Sequence, residues 1–156
     1  MDSVYIAQSD LGFGLFAGRG YSAGEEILCF SGPVIVFAEA QAKGELQSNP
    51  LQIEGERYID LDPPGVYANH SCDPNAGIAG DLTLIALRTI SLGEEIRFDY
   101  STTMWEGHWT MLCMCGSSRC RQIVRDFPEL PVEIQTEYLS QRVVQGYIVS
   151  RLRESR

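Results

Sequence analysis

Short apolar runs separated by glycine-marked breaks dominate the first two thirds of the chain, a texture that predicts strands rather than long helices. Val4-Tyr5-Ile6-Ala7 reads as an opening strand, and Gly12-Phe13-Gly14-Leu15-Phe16-Ala17 as a second one punctuated by glycine. Ser22-Ala23-Gly24-Glu25-Glu26 carries turn chemistry, after which Ile27-Leu28-Cys29-Phe30 resumes an apolar strand. Pro33-Val34-Ile35-Val36-Phe37 is rich in β-branched residues and predicts a strand buried on both faces. Ala, Glu, Gln and Lys prevail from Ala38 to Gln47, so a short helix interrupted by Gly44 is expected there. Leu51-Gln52-Ile53 and Arg57-Tyr58-Ile59-Asp60-Leu61 alternate apolar with polar positions, as the arms of a hairpin do. Leu82–Leu87 and Glu95–Phe98 read as two further strands. Beyond Arg121 the period changes. Ile134, Tyr138, Val144, Ile148 and Leu152 recur at near-helical spacing behind Pro131, with Glu133 near the positive helix end. Residues 131–153 therefore predict one or two amphipathic helices covering the core. The expected fold class is mainly β, built from several small packed sheets.

Composition narrows the setting. At 156 residues, 44% hydrophobic and 21% charged, the chain matches one ordinary soluble domain. No apolar run reaches the length of a membrane span, and Met1-Asp2-Ser3-Val4 lacks the basic and apolar regions of a secretory signal. Cytoplasm or nucleus is the expected compartment. The formal net charge of −9 is uneven: residues 1–121 hold seven basic against sixteen acidic side chains, and residues 122–156 hold five of each. Such a surface repels phosphate backbones, which disfavours direct nucleic-acid binding, and attracts cationic peptides. Charge alone serves solubility equally well.

Cysteine usage points to a metal. Cys29, Cys72, Cys113, Cys115 and Cys120 make an odd count with one close cluster, a poor disulfide framework. Cys113-x-Cys115-x₄-Cys120 supplies three thiolates within eight residues. A closed zinc site wants four ligands, so the fourth must come from elsewhere in the chain. The alternative is that these thiols are only small buried hydrophobes.

Three motifs follow one another in order. Tyr67-Ala68-Asn69-His70-Ser71-Cys72-Asp73-Pro74-Asn75 comes first, Phe98-Asp99-Tyr100 follows Gly93-Glu94-Glu95-Ile96, and the cysteine cluster is third. In isolation an Asn-His pair is a polar turn, and a tyrosine among seven is a packing residue. Taken together, from Gly12 to Arg121, the motifs resemble the SET-domain protein lysine methyltransferases. They match that family's Asn-His-Ser-Cys-x-Pro-Asn and Phe-Asp-Tyr motifs and its post-SET cysteines. There is no separate pre-SET cluster, since only Cys29 precedes Cys72.

The resemblance implies more than the pattern does. The fold would be several small sheets with a late segment tucked under an earlier loop, in a knot-like arrangement. Residues 1–110 would form the SET domain, with 37–62 a short insert helping to make a peptide groove. Residues 111–125 would be the post-SET zinc segment and 126–156 a C-terminal helical extension. The methyl donor S-adenosylmethionine would meet the backbone of Gly12, Phe13 and Gly14. Asn69 would hold its amino-acid end, while the His70 backbone and Ile123 would meet adenine; Tyr67 would line the site. Cys72, Cys113, Cys115 and Cys120 would hold a structural zinc, leaving Cys29 a core thiol and His108 unneeded. Tyr100 would orient the reacting amine, with Asp99 structural. Phe98, and Phe30 behind the early strand, would leave room for methylated amines and so favour di- or trimethyl product. One departure stands out: Val66 lies where many members carry an arginine for the cofactor carboxylate. Trp105 and Trp109 would either roof a lysine channel or cap the core.

The implied partner is a basic protein or peptide carrying the target lysine, a histone tail being one example. The 37–62 insert suits it, with six acids against Lys43 and Arg57. The chain would act as a monomer or dimer, away from membranes. A non-catalytic SET-like module that grips peptide or cofactor is the alternative; it leaves an intact Tyr100 unexplained.

Overall fold

The computed structural model describes residues 2–46 and 49–155. Its strands are short, because glycine or a turn former interrupts each apolar run within six residues. In chain order they begin with β1 (Val4–Ser9), β2 (Gly12–Ala17), β3 (Glu26–Cys29), β4 (Val34–Val36), β5 (Pro50–Glu54) and β6 (Arg57–Asp60). There follow β7 (Asn69–His70), β8 (Ala76–Ala79), β9 (Thr83–Ala86), β10 (Arg97–Phe98), β11 (Met111–Leu112) and β12 (Ile123–Val124). The helices are α1 (Phe37–Gln41), α2 (Val132–Gln141) and α3 (Gly146–Glu154). Among the described residues the strands make the hairpins β1-β2 and β11-β12, three-stranded sheets ordered β3-β9-β8 and β4-β6-β5, and the pair β10-β7. The expected mainly β class of several small sheets with C-terminal helices is what the structure has. No described helix is long and apolar enough to cross a membrane.

The pair β7-β10 is parallel, with Arg97 opposite Asn69 and Phe98 opposite His70. A parallel pair cannot be closed by a tight turn. The intervening 69–97 segment instead makes the β8-β9 hairpin and returns, so the two motif segments lie side by side. Around them Leu15, Ile78, Leu84, Ile90, Ile96 and Phe98 form the main core. Each fully buried aliphatic or aromatic side chain there is worth about 1.5–3 kcal/mol.

The C-terminal helices pack as part of this body. Phe127, Tyr138, Val143 and Ile148 build a second core cluster against Trp105 and Ile85. Gln145 N–H donates to Thr102 O at 3.1 Å, Tyr147 Oη to Thr103 O at 2.6 Å and Arg151 Nη1 to Trp105 O at 3.1 Å. These bonds hold the stretch that follows Tyr100. The helical run divides in two because Arg142 takes a left-handed conformation (φ 59°) that ends α2. The break lets Val143 insert against β8.

Some expectations change. Val34–Val36 is a strand, but as a sheet edge it has one face to the core, and Val34 and Val36 are 55% and 51% exposed. Phe37 begins α1 instead of ending that strand; the expected helix end at Gln47 lies outside the described residues. Cys29 is exposed at the end of β3, so it is not a core thiol. Of the Glu95–Phe98 run only Arg97–Phe98 pairs as a strand, and Glu95 bridges Phe16. β8 carries no alternation, and Gly77 sits in it because a Cβ there would stand 2.8 Å from Val143 Cβ.

That contact gives a direct test. Gly77→Ala is expected to lower stability by about 1–3 kcal/mol through overpacking. Gly20→Ala, whose Cβ would find its nearest neighbour at 3.8 Å, stays within about 0.5 kcal/mol. Urea denaturation of both variants measures the difference.

Candidate active site and metal centre

The site is built around one buried carboxylate. Asp99 precedes a 3-10 turn, Tyr100–Thr103, and its side chain accepts from Ser101 N–H at 3.0 Å. Arg121 Nη2 lies 2.8 Å from Asp99 Oδ2, and Tyr138 Oη donates to the same oxygen at 2.8 Å. Three separate chain regions thus satisfy a group that is 1% exposed. The sequence reading of Asp99 as structural agrees with this geometry.

His70 sits beside it. Its Nδ1 accepts the Tyr100 backbone N–H at 3.1 Å, which places the ring proton on Nε2, facing Cys72 Sγ at 3.3 Å. Burial pushes the imidazole down to about 4, against the pull of Asp99 and with help from Arg121 and Arg97. A neutral His70 therefore joins the Phe98-Asp99-Tyr100 segment to the cysteine cluster.

Sγ atoms of Cys72, Cys113, Cys115 and Cys120 all lie within 4.8 Å of one another. A tetrahedral tetrathiolate with metal–sulfur bonds of about 2.3 Å has edges of about 3.8 Å. The Cys72–Cys113 separation of 3.6 Å suits that edge and is far beyond a disulfide of about 2.05 Å. Backbone N–H groups of Arg121 and Gln122 point at Cys72 Sγ and Cys120 Sγ, each at 3.4 Å. Burial pushes the Cys72 and Cys113 thiols up. Cys115 falls to about 7 although burial opposes it, through hydrogen bonds from the backbone at Cys72 and Ser117 and from neighbouring thiols. Four thiolates so close need a cation between them, and the donor set fits a metal ion. Gly116 (φ 74°) makes the turn that folds the two ends of the cluster together.

Tyr100 and Phe98 line a narrow cavity of about 40 Å³ together with Tyr58, Val66, Glu106 and Trp109. That is room for about three water-sized groups. Tyr100 Oη donates to Ala68 O at 3.0 Å. Burial pushes this hydroxyl above its ordinary value, with Arg97 opposing and Glu95 assisting, so it stays neutral. Glu106 is fixed by the Tyr58 hydroxyl and by Trp109 N–H. The Phe98 ring lies 4.9 Å from Tyr100, and Phe30 packs behind it at 5.9 Å, tilted by 57°, without lining the cavity. Of the two tryptophans, Trp109 lines the cavity, while Trp105 packs against the C-terminal core under Arg151.

A second group of expected residues gathers on the other side of β7. Phe13 is 62% exposed, its ring meets Tyr67 edge-on at 6.3 Å, and its carbonyl accepts from Asn69 Nδ2 at 2.9 Å. Gly12 is left-handed (φ 102°) with open space beside it. Gly14 has a different reason to be glycine, because a Cβ there would collide with Glu95 Oε1. Ile123 lies on β12 opposite Leu112, half-buried in the hairpin beside the cysteines. Asn75, the last residue of the Asn-His motif, donates to Glu95 O and accepts from Arg97 N–H, locking the 95–97 segment. Sequence reasoning passed over Glu95, Arg97, Glu106, Arg121 and Tyr138. Only Arg97 left a signal, a cation inside the apolar run Ile96-x-Phe98.

Known proteins are similar to this chain in sequence and in fold. A family model described as SET domain matches residues 12–101. The chain is 30% identical over 133 residues to histone-lysine N-methyltransferase ATX2 of Arabidopsis thaliana, covering 74% of this chain and 12% of that protein. It is 31% identical to histone-lysine N-methyltransferase Set2 of Drosophila melanogaster (76% and 6%) and 29% identical to histone-lysine N-methyltransferase 2B of Homo sapiens (72% and 5%). The chain thus spans 12% or less of the length of each of these relatives. Its fold is similar to that of a chain of apo Polycomb Repressive Complex 2 from Chaetomium thermophilum, titled ctPRC2, with TM-score 0.58, 22% identity, and coverage of 67% of this chain and 16% of that one. A humanized mutant of that complex bound to the inhibitor GSK126 gives TM-score 0.56 at 22% identity, covering 66% and 15%.

The buried network sets an expected cost. Asp99→Ala strands the Arg121 charge and is expected to destabilise by about 3–5 kcal/mol. Tyr138→Phe removes one hydrogen bond and costs about 1 kcal/mol. Chemical denaturation followed by near-UV circular dichroism checks the ratio.

Proposed function

The chain belongs to the SET-domain family, with that domain over residues 12–101, and on that premise we propose that it transfers methyl groups from S-adenosylmethionine to lysine ε-amines of a basic protein or peptide. The observation that carries the reading is a neutral Tyr100 hydroxyl in a narrow aromatic cavity, one residue from the Asp99 network. Relatives named histone-lysine N-methyltransferases support the reaction class. The net charge of −9 favours a cationic partner over nucleic acid, and a histone tail fits that description.

The chemical difficulty is the substrate's own charge. A lysine with pKa about 10.4 is only about one part in a thousand neutral near pH 7.4, a deficit of roughly 4 kcal/mol. The aromatic walls Phe98, Tyr100 and Trp109 disfavour the ammonium by desolvation and lessen that deficit, while Glu106 at the same cavity acts in the opposite sense. Tyr100 cannot serve as a strong base because burial keeps it protonated. With its proton given to Ala68 O, its oxygen lone pairs are free to accept an amine N–H and aim the nitrogen lone pair. The cofactor, when bound, supplies the electrophilic methyl group. Gly12, Phe13, Gly14, Asn69, His70, Ile123 and Tyr67 are the proposed surroundings for it.

We assign zinc to Cys72, Cys113, Cys115 and Cys120 in a structural role, pinning residues 111–125 against the Asn69–Cys72 segment. Residues 1–110 form the proposed SET domain, 37–62 its peptide-groove insert and 126–156 the helical extension. Cytoplasm or nucleus suits a reduced thiol cluster. Phe98 in the cavity, with Phe30 behind it, adds no hydroxyl beyond that of Tyr100 against the amine, which favours di- or trimethyl product.

Four outcomes are expected. Pure protein contains one zinc per chain by elemental analysis, and Cys72→Ser loses it and melts about 10 °C lower, as ~4 kcal/mol would cause at this size. Tyr100→Phe lowers kcat by about 10²–10³-fold while calorimetric affinity for S-adenosylmethionine stays near wild type. In the wild type kcat/KM climbs with pH between about 7 and 9, following lysine deprotonation, with no inflection from Tyr100. Phe98→Tyr shifts product toward monomethyl-lysine in time-resolved mass spectrometry.

A further inference from the structure

Asn69 is held in a way that limits what it can offer a ligand. Both acceptors facing its amide nitrogen, Phe13 O at 2.9 Å and Glu95 Oε1 at 3.0 Å, lack hydrogens to give. The nitrogen must therefore face them, and both its hydrogens are spent inside the protein. Only Oδ1 is left, an acceptor. It suits the ammonium of an α-amino acid and cannot bind the carboxylate. Val66, three residues earlier, presents hydrocarbon to the cavity and supplies no charge.

A cation nevertheless stands close by. Arg97 faces Asn69 across the β7-β10 pair, and its Nη2 is salt-bridged to Glu95, the same carboxylate that takes the Asn69 amide. Hydrogen bonds from Arg97 and Asn69 hold the Glu95 carboxyl below its ordinary value although burial opposes this. Asn75 fixes the Arg97 backbone through a 2.9 Å bond. A guanidinium has five N–H donors, and one carboxylate uses only part of that fork. The other cations of residues 1–121 are engaged elsewhere: Arg19 with Glu25, Lys43 with Asp60, Arg57 with Glu54, Arg88 with Glu94, Arg119 with Glu137 and Arg121 with Asp99.

We infer that Arg97 binds the carboxylate of the cofactor's amino-acid end, while Asn69 Oδ1 accepts from its ammonium. The inference rests on the proposed use of S-adenosylmethionine. It makes Arg97 a binding residue that replaces the cation missing at Val66, with Glu95 as the strut that orients both groups over Gly14.

Calorimetry with two probes tests it. S-adenosylhomocysteine carries the amino acid; 5′-methylthioadenosine has the same nucleoside thioether without it. Arg97→Gln should lose about 10- to 100-fold in affinity for the first and keep wild-type affinity for the second, with Arg97→Lys recovering part of the loss. Unchanged binding of S-adenosylhomocysteine by Arg97→Gln overturns the assignment while leaving the proposed function intact. Equal weakening of both probes also overturns it, since a merely structural role moves both. Wild-type protein that binds neither probe removes the proposed function itself. Should Arg97→Gln fail to fold, the wild type decides alone. Its affinity for the methyl ester of S-adenosylhomocysteine should fall by the same factor, and an ester bound as well as the acid refutes the role.

Discussion

Burying a carboxylate in a small domain is tolerable only if it is surrounded by donors, and Asp99 meets that condition with groups from its own turn and from two distant parts of the chain. Ser101 N–H comes from its own turn, Arg121 from just beyond the last cysteine and Tyr138 from α2. An unpaired ion in this place would cost several kcal/mol, so the three segments cannot separate independently. Asp99 thereby ties the strand ending at Phe98, the cysteine segment and the C-terminal helices into one cooperative unit. Tyr100, its chain neighbour, inherits a fixed position from that unit.

Electrostatics around the hub follow from the same burial. His70 is neutral because desolvation outweighs Asp99, and this lets its Nδ1 accept the Tyr100 N–H while Nε2 faces a cysteine sulfur. Tyr100 is neutral for the same reason, which suits a positioning hydroxyl better than a base. A second ion pair, Glu95 with Arg97, lies beside Asn69. The proposed division of labour is thus spatial: a largely aromatic cavity with Glu106 at its wall for the amine, and a charged, hydrogen-bonded shelf for an amino acid. The cysteine cluster closes the end of the strand between them.

Much of this was legible in the sequence where a residue type has few uses. The spacing of Cys113, Cys115 and Cys120 announced a cluster of thiols able to hold a metal, and the motif that supplied Cys72 pointed to the fourth sulfur, which lies within 4.8 Å of them. The 51–61 hairpin and the C-terminal helices were visible from periodicity, because each buries a single face. What stayed hidden depended on tertiary partners. β8 is a run of small residues whose reason, Val143 against Gly77, lies 66 positions away in the numbering. Val34 and Val36 share the exposed face of their strand while Ile35 points to the other, partly buried face, and a β-branched run does not say how many faces are covered. Tyr138 and Arg121 carried no local mark of their bond to Asp99. Gly14 has a second reason to be glycine that the sequence does not carry, since a Cβ there would meet Glu95 Oε1.

The central claim is that this charged shelf and aromatic cavity work together to move a methyl group onto lysine. Incubation with S-adenosylmethionine carrying a labelled methyl group, over a panel of basic proteins that includes histones, tests it most directly. The account predicts label on lysine ε-amines, mapped by mass spectrometry, and none on arginine or on nucleic acid. Tight cofactor binding with no label transferred to any member of the panel would contradict it and leave a non-catalytic binding module in its place.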